Sequence, residues 1–387
     1  MPEREQRVTP LELFFDLVFV FGITQVTGMM SDDPTWRGLG RGLLVLAALW
    51  WAWAAYAWLT NTLEPEEGRV RLAMFTAMAA MLVVGLAVPN AFEGDGVLFG
   101  FAYLAVRVLH LVLYAIAGKS DPDLLGAVLR MVPSSTLGPG LLVAAGFLDG
   151  VAQVGLWIGA LMVDYLGVLI GRGQGFRVSP AHFAERHQLI VIVALGESIV
   201  ALGIGAAGLP LSLRVVTAVA VGFVVIAALW WAYFDVYTIF AQRRLSEVSG
   251  TVRARLARDY YSYLHLPMVA GIVIFAFGME KTLEHVADPL DTVPAVALCG
   301  GLSLFFFTHV AFRVRLVWVR WGETRDGRGL FGRGRPLTAL ALLAILPAAL
   351  EVPALTALSL VAAICCGVIV YDVIHYREER VQIRQMR

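Results

Sequence analysis

Two acidic side chains near the start of the chain, Glu12 and Asp16, stand four residues apart. That spacing puts both on one face of a helix, continued by Phe19, Ile23 and Thr27. The surrounding residues are almost all apolar, so a carboxylate here is costly unless it is paired or used. Thr9-Pro10 ahead of them reads as a helix start, with Glu12 at the third helical position closing a capping box. Glu12 can therefore serve as a cap or as part of a site. Asp16 is too far along for capping, about 10 Å into the membrane at 1.5 Å per residue. It fits a pore or binding position, or a buried partner for a cation such as Arg107.

A second cluster lies at Glu185-Arg186-His187, followed by an apolar run and Glu197. Arg186, Ile190, Val193 and Glu197 share a face, but Arg186 and Glu197 are about 16 Å apart along the axis and cannot pair. Glu197 fits either a functional carboxylate or a structural hydrogen bond. Glu185 and His187 fall near a membrane interface, where they join a pathway or snorkel to water. Arg107 and His110 share a face of a third apolar segment. Arg107 needs an anion, with Asp16, Asp164 and Glu197 as candidates. No His, Cys or Asp cluster has metal-ligand spacing, and no cofactor motif is present. Walker, GxSxG and HExxH signatures are also missing, so no enzyme class is indicated.

The elements that must carry these residues are set by composition. Of 387 residues only 16% are charged, 59% are hydrophobic and the mean hydropathy is +0.74. Typical soluble domains carry about 25% charge. Apolar segments occur near 9–29, 37–61, 71–91, 97–118, 124–148, 151–171, 184–206, 213–240, 260–283, 293–317, 336–350 and 354–376. Most reach the roughly 20 residues that a spanning helix needs. The fifth, with Arg130, Pro133 and Pro139, and the eleventh, with Pro347, are the weakest.

Arginine and lysine set the orientation. The N-terminus, the C-terminus and the loops after helices 2, 4, 6, 8 and 10, with the span ends that border them, hold 24 of the 30 cationic residues. The remaining loops hold Arg37, Arg41, Arg214 and Lys281. This alternation predicts twelve crossings with both termini in the cytoplasm. The Arg-rich stretches near 241–258 and 318–335 read as topology anchors. Cys299, Cys365 and Cys366 lie in predicted spans and give no disulfide framework. Zero net charge offers no electrostatic case for nucleic acid.

The hexapeptide Ala47–Ala52, AALWWA, recurs at Ala227–Ala232. One copy is in predicted helix 2 and the other in helix 8. His110 corresponds to His309, Asp164 to Asp372 and Gln25 to Glu197. These matches predict an all-α integral membrane protein of two parallel six-helix repeats, residues 1–178 and 179–387. A pseudo-twofold axis along the membrane normal would place a pathway between the halves.

The run Thr9-Pro10-Leu11-Glu12-Leu13-Phe14-Phe15-Asp16 resembles the bacterial low-temperature-requirement A (LtrA) family. So do Trp50-Trp51 with Thr60-Asn61, and Glu185-Arg186-His187 through Leu195-Gly196-Glu197-Ser198. The resemblance implies a bacterial inner-membrane protein linked by name to growth in the cold. Separately, Phe14-x-Asp16-x-Val18-Phe19 through Ile23-Thr24 is similar to the first helix of the lysosomal-type potassium channel family. That similarity implies Asp16, Phe21 and Thr24 near a pore. Pro10 replaces that family's arginine, and Arg186-His187-Gln188 replaces its second Phe-x-Asp element.

Together these readings predict a transporter or channel for an ion or small solute. Glu12, Asp16, Thr24, Gln25, Arg107, His110, Glu185, His187 and Glu197 are the pathway candidates. Membrane lipid and the transported species are the expected partners, and a homo-oligomer is compatible with the reading. A membrane-embedded enzyme acting on lipid and a structural membrane factor are the competing classes.

Overall fold

The apolar runs have one structural solution available without strand partners: helices that satisfy their own backbone groups. The computed structural model describes residues 7–63, 65–66, 68–170, 175–318 and 334–385, and they form helices joined by turns and short loops. In chain order these helices are α1 (Pro10–Asp32), α2 (Trp36–Thr60), α3 (Gly68–Ala87), α4 (Gly96–Ala117), α5 (Pro122–Ala145) and α6 (Gly150–Ile170). They continue with α7 (Pro180–Ala206), α8 (Leu213–Phe234), α9 (Tyr237–Glu247), α10 (Gly250–Leu256), α11 (His265–Glu284) and α12 (Thr292–Trp318). The last four are α13 (Gly334–Ala344), α14 (Leu346–Ala349), α15 (Ala354–His375) and α16 (Arg377–Arg384).

Among the described residues, eleven helical stretches are long and apolar enough to cross a membrane. The protein is a multi-pass membrane protein. Of the two weak segments, the fifth holds: α5 runs unbroken through Pro133 and Pro139. The segment at 336–350 differs from expectation. It forms the shorter α13, stops at Ile345 and resumes as the single turn α14 around Pro347. Proline supplies no N–H and crowds the preceding turn, which accounts for the break. The basic stretch 241–258, expected as a loop, is largely helical in α9 and α10. Most of 318–335 lies outside the described residues.

Contacts divide the described residues into two units. The first takes in those of Met1–Asp33, Arg37–His187 and Leu245–Arg258; the second takes in those of Pro34–Trp36, Gln188–Arg244 and Asp259–Arg387. Within the first unit α5 and α6 meet closely at Gly138. A Cβ there would stand 2.9 Å from Asp164 Cγ and 3.0 Å from the Ala160 carbonyl oxygen. Within the second, α11 and α12 meet at Gly271 and Gly301, where a Cβ on either would lie 2.6 Å from the other's carbonyl oxygen. Such small-residue contacts bring membrane helices together without a hydrophobic driving force.

Polarity is arranged from the inside outward. Phe14 and Leu17 of α1 are exposed, whereas Glu12 and Asp16 on its other face are buried. The same holds for Leu98 and Phe101 against Arg107 and His110 of α4. In these helices the charged side chains face neighbouring helices and the apolar ones face outward, as hydrocarbon requires.

Candidate functional site

The site begins with the cap of α1. The Thr9 amide donates to Glu12 Oε2 at 2.9 Å, the Thr9 hydroxyl donates to the same oxygen at 3.1 Å, and the Glu12 amide returns a bond to Thr9 Oγ1 at 3.4 Å. The capping box is complete, and Pro10 occupies the first helical position. Glu12 does more than cap. Its side chain is fully buried, and His182 Nε2 lies 3.0 Å and 3.2 Å from its two oxygens.

One turn further along α1, Asp16 accepts two hydrogen bonds, from Arg186 NH1 at 3.1 Å and from the Trp53 indole N–H at 2.8 Å, and Arg186 NH2 stands 3.0 Å from its Oδ1 as an ion-pair contact. Arg186 NH1 also donates to the Glu12 carbonyl at 2.9 Å, and its Nε stands 3.8 Å from Glu12 Oε1. The guanidinium lies 5.8 Å from the centre of the Trp53 ring. Arg186 NH1 thus bridges the Glu12 carbonyl and the Asp16 carboxylate. His182 and Arg186 are four residues apart on α7, matching Glu12 and Asp16 on α1. Two rows of opposite polarity thus meet rung by rung.

Other side chains hold the start of α7 in place. The Asn61 amide, at the end of α2, donates to the Arg177 carbonyl at 2.9 Å and accepts from the Ser179 N–H at 3.1 Å. Arg253 donates to the Val178 carbonyl at 3.2 Å. Together these bonds fix the three residues ahead of Pro180, and with them the register of His182 and Arg186.

The remaining candidates take other places. Glu185 is exposed and accepts from the Val8 amide at 3.2 Å. His187 donates from Nδ1 to the Phe183 carbonyl at 2.9 Å and packs its ring against Trp53, 4.9 Å between centroids. Thr24 and Gln25 are half-buried further along α1, and the Thr24 hydroxyl donates to the Val20 carbonyl at 3.1 Å. Glu197 is buried in the part of α7 that belongs to the second unit.

Arg107 is not the partner of Asp16. Its NH2 donates to Asp164 Oδ1 at 3.2 Å and to the Ser135 hydroxyl at 3.1 Å, with all three residues buried. Its neighbour His110 bonds through Nε2 to the Ala55 carbonyl at 3.1 Å. In the second unit Arg335 lies 3.7 Å from Asp372. Each unit therefore holds a buried arginine beside an aspartate. Among the described residues no three His, Cys, Asp or Glu side chains are grouped to hold a metal ion.

Sequence reasoning located Glu12 and Asp16 but missed His182, Arg186 and Trp53 as their partners. The signal was the equal four-residue spacing of the acidic pair and of His182 with Arg186. Trp50 and Trp51 drew attention through the repeated hexapeptide, whereas the indole that bonds Asp16 sits two residues later.

Residues 7–370 match the model of the family described as "Bacterial low temperature requirement A protein (LtrA)". The chain is also 33% identical over 312 residues to "Uncharacterized protein RA0937" of Rhizobium meliloti (strain 1021), covering 76% of this chain and 74% of that one. No solved structure matches it. The match spans both the α1 cap and the α7 cluster, and the chain belongs to the LtrA family.

Proposed function

We propose that this LtrA-family protein is a transport protein for an ion or small solute, with the Glu12–Asp16–His182–Arg186 cluster as its working site. The observation that carries the reading is the burial of four ionisable side chains together in membrane-spanning helices α1 and α7. Each costs about 2.5–3.5 kcal/mol to insert on translocon scales, and such groups mark ion or substrate paths.

The proposed frame is twelve crossings arranged as two parallel six-helix repeats, with α13 and α14 completing the eleventh. Both termini are cytoplasmic in this reading, and the membrane is the bacterial inner membrane. Support comes from the alternation of arginine and lysine between loops, the repeated hexapeptide, and the paired arginine–aspartate contacts of the two units. Exposed apolar faces of the helices take membrane lipid as their partner. A link to growth in the cold follows the family's description.

The test is flux through proteoliposomes under separate K⁺, Na⁺ and H⁺ gradients. Flux above that of empty vesicles supports transport. No flux under any gradient rejects it and turns attention to lipid turnover.

A further inference from the structure

Within the cluster both carboxylates are already engaged as acceptors. Glu12 accepts from the Thr9 amide and hydroxyl, so its carboxylate also accepts from His182, and Nε2 of that ring carries a proton. Asp16 accepts from Arg186 and Trp53. Arginine stays charged at any working pH. Arg186 Nε and NH2 make only ion-pair contacts, and Nδ1 of His182 is buried with no hydrogen-bond partner, on a residue with no exposed surface; of these three nitrogens it alone can take up a proton.

We propose that His182 Nδ1 is a proton-binding site and that the transport proposed above is linked to protons through it. With Nδ1 bare, two carboxylates face one guanidinium, and the cluster holds one net negative charge in a water-poor interior. A proton taken up at Nδ1 cancels that charge and breaks none of the bonds just named. Protonating either carboxylate would instead disrupt accepting positions already in use.

The charged surroundings agree with this assignment. From α1 the ring faces Glu12, with Asp16 one turn on. From α7 it has Arg186, while the His187 ring is bonded to the Phe183 carbonyl and Glu185 is exposed and bonded to Val8. From the segment before α11, Arg253 is engaged by the carbonyls of Val178 and Val248. The acidic pair supplies the charge that draws the proton, and imidazole is the side chain suited to exchange it between about pH 5 and 8.

This inference rests on the transport reading only for its link to flux. The site itself is tested by nitrogen-15 NMR of histidine-labelled full-length protein in nanodiscs. The His182 signals are assigned by their loss in His182→Gln, or through sequential connectivity to Phe183 if that variant does not fold. The expected result is that Nδ1 changes from bare to protonated as pH falls from about 8 to 5, while Nε2 stays protonated. A ring held in one state across that range overturns the proposal, even if the vesicles carry flux. Titration without flux under any gradient upholds the proton site and overturns its link to transport.

Discussion

Arg186 holds Asp16 through two nitrogens, at 3.0 and 3.1 Å, and both side chains are buried. The contact ties α1 to the first turns of α7 across 170 residues of sequence. Its value depends on both partners being present. A buried ion pair broken on one side leaves a lone charge, which costs far more than the intact pair contributes.

Arg186→Met is therefore expected to destabilise the protein by about 3–5 kcal/mol. Adding Asp16→Leu to it should recover part of that loss, because the stranded carboxylate is removed with its partner. Unfolding of the single and double variants in detergent micelles measures both. A double variant no more stable than Arg186→Met would mean that the charge pairing is not what holds α1 to α7.

The Trp53 indole donates a second hydrogen bond to Asp16, at 2.8 Å. Trp53→Phe keeps a ring in place and removes only that donor. A hydrogen bond to a charged group contributes about 1.5–3 kcal/mol, and a loss of that order is expected. The same substitution in an Asp16→Leu background should cost clearly less. Equal losses in both backgrounds would assign the effect to ring packing.

Thr9 caps α1 and bonds Glu12 at the same time. Thr9→Ala should cost about 1 kcal/mol, while Thr9→Ser should stay close to wild type. Thermal unfolding in the same detergent reads the pair. Equal behaviour of the two variants would show that the hydroxyl is not the operative group.

Gly138 and Gly140 sit two residues apart on α5 with opposite surroundings. A Cβ on Gly138 would press on Asp164 Cγ at 2.9 Å and on a backbone carbonyl at 3.0 Å, whereas Gly140 has nothing within 4 Å. Gly138→Ala should cost about 1–3 kcal/mol by crowding the Arg107–Asp164 pair. Gly140→Ala should be neutral or gain up to about 1 kcal/mol of helix propensity. Unfolding midpoints of the two variants, compared side by side, check the close approach of α5 and α6.

What could be read from sequence follows from what is local. Thr9, Pro10 and Glu12 lie within one turn, and the capping box they form was readable from residue types alone. The burial of Asp16 was equally readable, since a carboxylate in a long apolar run has no local escape to water. Its partner was not, because pairing α1 with α7 is a tertiary choice among several cations. Arg107 had three candidate anions, and the fold brings Asp164 of α6 to it, with Ser135 of α5 alongside. Pro347 signalled a weak eleventh segment, but whether a helix bends or breaks there depends on neighbours that sequence does not name.

The measurement closest to the central claim compares ion flux in proteoliposomes for wild type, Asp16→Asn and the Glu12→Gln/Asp16→Asn double variant. Circular dichroism and size-exclusion profiles would establish that each is folded. The expected result is gradient-driven flux in wild type that falls at least tenfold in the folded variants. Flux of wild-type size in the folded double variant would contradict a working role for the buried cluster.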